Sequence, residues 1–130
     1  MREIKFRAWN KHENKTYPVH IIEFDHKEII VDVCERKDNG LNCWTYPDQV
    51  ELMQFTGLKD KNGVEIYEGD IVKHSQTSCI FKIEYSEGHA GFRVSGCYSN
   101  KYLGEAWTFV EKLEIIGNIY ENPDLLETTQ

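Results

Sequence analysis

The chain has 130 residues, with 15 Lys and Arg against 22 Asp and Glu and a net charge of -7. A chain of this length buries about two-thirds of its extended surface on folding, which allows a core without covalent staples. No segment approaches the ~18 consecutive apolar residues of a membrane-spanning helix, and Met1-Arg2-Glu3-Ile4-Lys5 lacks the apolar run of a signal peptide; the expected address is the cytoplasm, with no membrane partner.

Period-two patterns dominate the chain. In Glu3-Ile4-Lys5-Phe6-Arg7-Ala8-Trp9, residues Ile4, Phe6 and Ala8 fall on one face and Lys5, Arg7 and Trp9 on the other, as in a half-buried strand. Strands are expected over Val19 to Phe24 and Glu28 to Cys34, joined by the short loop Asp25-His26-Lys27. Arg36-Lys37-Asp38-Asn39-Gly40 reads as an exposed turn. A short strand over Val50 to Phe55 leads into Thr56-Gly57-Leu58-Lys59-Asp60-Lys61-Asn62-Gly63, where Asn62-Gly63 has the residue pair that tolerates positive φ at both turn centres. Glu68-Gly69-Asp70 supplies a second turn before Ile71-Val72 enters a strand.

Further strands are expected over Cys79 to Tyr85, Phe92 to Tyr98 and Leu113 to Tyr120, with Ser86 to Gly91 as the loop between the first two. Helix is expected only over Ser99 to Lys112 and in the tail after Pro123. About eight short strands at intervals of roughly ten residues describe a mainly β chain, a small barrel or folded sheet with at most a short helix. No linker, repeat or low-complexity segment divides it, so residues 1–130 are read as one domain.

Three segments carry a resemblance. Thr56-Gly57-Leu58-Lys59-Asp60-Lys61-Asn62-Gly63 with Ile66-Tyr67-Glu68-Gly69-Asp70-Ile71-Val72, the opening Arg2-Glu3-Ile4-Lys5-Phe6-Arg7-Ala8-Trp9, and the closing Ile116-Gly117-Asn118-Ile119-Tyr120-Glu121-Asn122-Pro123 are similar to the YopX-like proteins of bacteriophages and prophages. The resemblance implies a small SH3-like pseudobarrel of mixed strands and an origin in a phage or prophage, hence a bacterial cytoplasm. It implies no established activity, cofactor or catalytic residue, so it transfers no site. Residues 12 to 47 carry least of it.

The residues themselves offer few chemical constellations. Counted from Asp60 as a calcium loop, position five is Val64, position six Glu65 and position twelve Ile71, which fails the EF-hand pattern; Asn62, Gly63 and Gly69 are read as turn formers and Glu68 and Asp70 as acceptors for nearby N–H groups. His12, His20, His26, His74 and His89 are scattered, without H-x-x-x-H or H-E-x-x-H spacing, so no catalytic, cofactor-binding or metal residue is assigned and no enzyme activity is expected. Gly88-His89-Ala90-Gly91 lies between two expected strands beside Glu84 and Glu87 and reads as a hairpin loop, not a phosphate cradle. Cys34, Cys43, Cys79 and Cys97 contain no C-x-x-C pair, which argues against zinc. Their even count leaves disulfides open, but without a secretion signal reduced, half-buried thiols are expected.

One basic and aromatic face remains. Lys5, Arg7 and Trp9 on one strand would lie about 7 Å apart in succession, a spacing suited to phosphates and a stacked base. Against nucleic acid stands the charge: residues 51–130 carry 7 basic and 13 acidic side chains, and residues 1–50 carry 8 and 9. Trp44, Tyr46, Tyr98, Tyr102, Trp107 and Phe109 are expected to fill the core, and any left exposed together would mark an interface. The expected role is therefore non-enzymatic binding of a protein partner or a second copy, with nucleic-acid binding through Lys5, Arg7 and Trp9 as the alternative.

Overall fold

The structure is a computed structural model that describes residues 3–19, 21–25, 28–32, 44–45, 50–88, 90–96, 99–102 and 111–127. These residues are mainly β, with one short helix. The chain divides into two compact units, Glu3–Gln54 and Phe55–Gln130 with Met1–Arg2.

In the first unit, β1 (Phe6–Asn10) is flanked on one side by β2 (Lys15–Pro18) and on the other by the opening half of β6 (Val50–Lys59), both antiparallel. Asn10 shapes the β1–β2 turn, its Oδ1 accepting the N–H groups of His12 at 2.9 Å and Glu13 at 3.1 Å. The turn closes on Asn14 in the left-handed region at φ 54°, a conformation asparagine tolerates better than most residues. Ala8 and Val50 are buried, with Tyr17, Val19 and Leu52 packed against them. β3 (Ile21–Asp25) and β4 (Glu28–Asp32) form the expected hairpin, and β4 also pairs β5 (Trp44–Thr45). The expected turn at Arg36 to Gly40 lies outside the described residues.

In the second unit, β6 continues through Lys59 and pairs β7 (Glu65–Tyr67), a three-residue strand hidden from periodicity by its length. The five-stranded sheet runs in the order β11-β10-β9-β8-β12, formed by β8 (Asp70–His74), β9 (Ile80–Ser86), β10 (Gly91–Gly96), β11 (Ser99–Tyr102) and β12 (Leu113–Asn118). The alternation in β9 and β10 places Phe81, Ile83 and Val94 inward. The register then aligns Val72 with Phe81, Val94 with Ile83 and Ile115 with Val72. With Ile66 and Leu113 these residues form the larger core cluster. Helix α1 (Asp124–Glu127) packs against β9.

One expectation needs correction here, and one turn has a geometry of its own. Ser99 to Tyr102 is a strand, not helix, because Gly96 pairs Ser99 and the chain folds straight back along β10; residues 103–110 lie outside the described residues. At Asn62-Gly63 only the glycine is left-handed, at φ +80°. The turn is closed by Asp60, whose N–H donates to the Val64 carbonyl at 2.8 Å and whose carbonyl accepts from Gly63 at 3.0 Å, so Asn62 needs no positive φ. Every strand pairing among the described residues is antiparallel.

Candidate functional site

The basic and aromatic face of β1 does not form an exposed stripe. Trp9 is only 8% exposed and Ala8 next to it is fully buried, because β1 is paired along both edges and covered on both faces at this end. A ring so enclosed offers no open face to a base. Arg7 is half-buried, with its Nε shielded from solvent. Lys5 forms an ion pair with Glu3 at 3.1 Å, and Ile4, placed on the inner face by the alternation, is 69% exposed because it precedes the paired part of the strand.

The segments that carry the resemblance converge on backbone hydrogen bonds. Asp60 is buried; its Oδ1 accepts the N–H groups of Asn62 at 2.8 Å and Val64 at 2.9 Å, and its Oδ2 that of Ile115 on β12 at 3.1 Å. Thr56 donates its hydroxyl to the Ile66 carbonyl at 2.8 Å and accepts the Leu58 N–H, joining β6 to β7. Asp70, 1% exposed, accepts the Tyr67 N–H at 2.7 Å across the turn that Gly69 makes at φ +89°. Gly69 itself donates to Ile83 and accepts from Ile119, each at 2.8 Å. Asn118 Oδ1 receives Tyr120 and Glu121 at 3.0 and 2.8 Å, while its own N–H reaches Asn122 Oδ1 at 3.4 Å. Oxygen acceptors aimed at amide donors in this way close turns, and the geometry accounts for these residue types without any ligand.

Titratable groups are dispersed. His12 is exposed and His74 is buried, whereas His20, His26 and His89 lie outside the described residues. Among the described residues no group of three or more His, Cys, Asp or Glu side chains is placed to hold a metal ion, and no helix is long and apolar enough to cross a membrane. Cys79 is disulfide-bonded, which corrects the expectation of a reduced thiol there, whereas Cys34, Cys43 and Cys97 lie outside the described residues. That expectation came from the compartment, which says nothing about which cysteines a fold brings together.

The hairpin of β9 and β10 carries a feature that sequence reasoning passed over. On the core-facing side, the pair Ile83 and Val94 is followed by Tyr85 and Phe92, directly opposite one another and packed edge to face with ring centroids 5.3 Å apart. Tyr85 is 43% exposed, so the apolar row of the core continues into solvent. On the other face Arg93 donates to Glu84 at 2.7 Å, and Lys82 lies 3.4 Å from the same carboxylate. The alternation of Phe81, Ile83 and Tyr85 contained the signal, since it puts all three on one side of the strand. The aromatic residues singled out from the sequence, Trp44, Tyr46, Tyr98, Tyr102, Trp107 and Phe109, have side chains outside the described set.

An antiparallel, mainly β protein braced by side-chain-closed turns is the class these observations define. The chain belongs to the YopX protein family, whose model matches residues 5–127. It is similar to a solved structure, protein EF1440 from Enterococcus faecalis, with a TM-score of 0.71 and 28% identity over 97% of this chain and 99% of that one. A comparison with curated proteins yields no match.

Proposed function

We propose that this YopX protein is a phage- or prophage-derived accessory module of SH3-like architecture, working in the bacterial cytoplasm by binding a protein, either a second copy or a separate partner, and carrying out no chemistry of its own. The observation that supports this reading is Tyr85, 43% exposed against Phe92 at the end of the core-facing row of β9 and β10. A large aromatic ring held by a cross-strand neighbour adds contact area at small entropic cost, which is why tyrosine is enriched among residues that dominate interface energies. The polar residues of the family segments fit the same reading, since Asp60, Asp70 and Asn118 are engaged with backbone amides.

The test pairs light scattering over a wide concentration range with a tagged pull-down from phage-bearing lysate, with and without nuclease, for wild type and Tyr85→Lys. Self-association, or a nuclease-resistant protein capture, that Tyr85→Lys abolishes supports the reading. Capture that nuclease removes and that depends on Lys5 and Arg7 would transfer it to nucleic acid. A strictly monomeric wild type without partners would count against both.

A further inference from the structure

The turn between β8 and β9 is unusual in its reliance on one imidazole. Each backbone N–H from His74 to Cys79 has an acceptor: His74 donates to the Cys79 carbonyl and Ser78 to the His74 carbonyl, both at 2.9 Å, and Ser75 donates to the Lys112 carbonyl at 2.9 Å. Cys79 donates to Thr77 Oγ1 at 3.3 Å. The remaining two, Gln76 and Thr77, both donate to Nδ1 of His74, each at 3.3 Å. His74 is 6% exposed and sits opposite Leu113 in the β8–β12 register, so the ring is an internal part of the hairpin end. Ser78, at φ 61°, holds the left-handed conformation that costs a residue with a Cβ and persists only while its surroundings enforce it.

An imidazole nitrogen accepts hydrogen bonds only while it carries no proton. Protonation at Nδ1 turns the acceptor into a donor and sets N–H against two N–H groups. We propose that His74 makes the His74–Cys79 turn proton-sensitive, closed while the imidazole is neutral and released at Gln76 and Thr77 when Nδ1 takes up a proton.

Among the described residues, Lys73 precedes the ring on β8, and Lys112 and Glu114 flank its partner Leu113 on β12. Lys73 and Glu114 oppose one another in register and, by strand alternation, belong to the other face; Glu114 also lies 3.6 Å from Lys61. The Lys112 ammonium is close by, donating to Gln76 Oε1 at 2.9 Å. Toward β9 the nearest titratable type is Cys79, whose sulfur is committed to a disulfide. The two hydrogen bonds at Nδ1 favour the neutral ring, so the stability that they carry is lost as the ring takes up a proton.

The test is amide hydrogen exchange by NMR on the full chain, with the His74 ring nitrogens followed in the same samples from about pH 7.5 to about pH 5, the range in which histidines change charge. As the ring protonates, the Gln76 and Thr77 amides should lose about tenfold of their protection after correction for intrinsic exchange. Gly69, which donates to Ile83, should keep its own. His74→Asn is the paired variant: its Oδ1 replaces Nδ1 as an acceptor that does not titrate, so both amides should stay protected at the lower pH. If that variant does not fold, the wild-type titration decides alone. A ring that stays neutral to pH 5, a protonated ring with both amides still protected, or loss of Gly69 protection in the same step overturns the proposal.

Discussion

Asp60 holds the Ile115 amide at 3.1 Å, a bond between residues 55 apart in the chain that ties the turn after β6 to strand β12. The same carboxylate closes its own turn through Asn62 and Val64, and next to it Lys61 donates to the Leu113 carbonyl at 2.9 Å. One side chain therefore couples local turn geometry to the outer strand of the five-stranded sheet. Removing it leaves three amide donors without their acceptor.

Asp60→Ala should destabilise the chain by about 3 kcal/mol, roughly 1 kcal/mol for each stranded donor. Asp60→Asn keeps one carbonyl oxygen and should cost less. Urea unfolding of the three proteins reads both values. An Asp60→Ala variant within about 0.5 kcal/mol of wild type would show that water replaces the carboxylate, and the coupling would then have no energetic weight.

Gly63 and Gly96 both have positive φ, at +80° and +137°, yet they differ in what surrounds them. A Cβ on Gly63 meets nothing within 4 Å, so Gly63→Ala carries only the backbone cost of the left-handed region, about 1 kcal/mol. A Cβ on Gly96 lies 2.9 Å from the Ile80 carbonyl oxygen and 3.5 Å from the Phe81 Cα, both backbone atoms of the adjacent strand that cannot swing aside. Gly96→Ala should therefore cost more than about 2 kcal/mol, adding a clash to a conformation that is almost confined to glycine. Thermal melts that rank Gly63→Ala as the worse of the two would refute this account.

What could be read from the sequence follows the range of the interaction. Strands with a buried row, such as Ile80–Ser86 with Phe81 and Ile83, announce themselves by alternation, and Gly63 and Gly69 announce turns by residue type. Short or polar strands do not. Glu65–Tyr67 has one buried residue, and Ser99–Tyr102 becomes a strand only by pairing with β10. The candidate site was legible as residue types but not as placement: Lys5, Arg7 and Trp9 alternate correctly, yet pairing on both edges of β1 buries Trp9. The roles of Asp60 and His74 depend on atoms meeting at a turn, which no period records.

Gly117 follows the irregularity in the β8–β12 register and lies against Asn122. A Cβ there would approach Asn122 Oδ1 at 2.5 Å and its Cγ at 2.9 Å, displacing the oxygen that receives the Asn118 N–H. Because the obstacle is a side chain, the clash can be removed from the other side. Gly117→Ala alone should cost about 2 kcal/mol, and the same change in an Asn122→Ala background about 1 kcal/mol less. Strict additivity in this double-mutant cycle would mean that the glycine is needed for backbone reasons alone.

Cys79 joins the turn of His74 to the core, since its carbonyl accepts the His74 N–H at 2.9 Å and its side chain packs against the cluster of Ile66, Val72, Phe81, Ile83, Val94 and Leu113. Its sulfur is disulfide-bonded, which tethers the chain at this point. A tether of this kind restricts the unfolded ensemble, and its loss typically costs 2–4 kcal/mol. Alkylation of the native, unreduced protein should leave Cys79 unmodified, and dithiothreitol should make it reactive. Cys79→Ser should lower stability by about 2–4 kcal/mol, and reduction of the wild type by at least as much. Labelling of Cys79 in the unreduced native protein would remove the tether, and the stability of the β8–β9 turn would then rest on its hydrogen bonds alone.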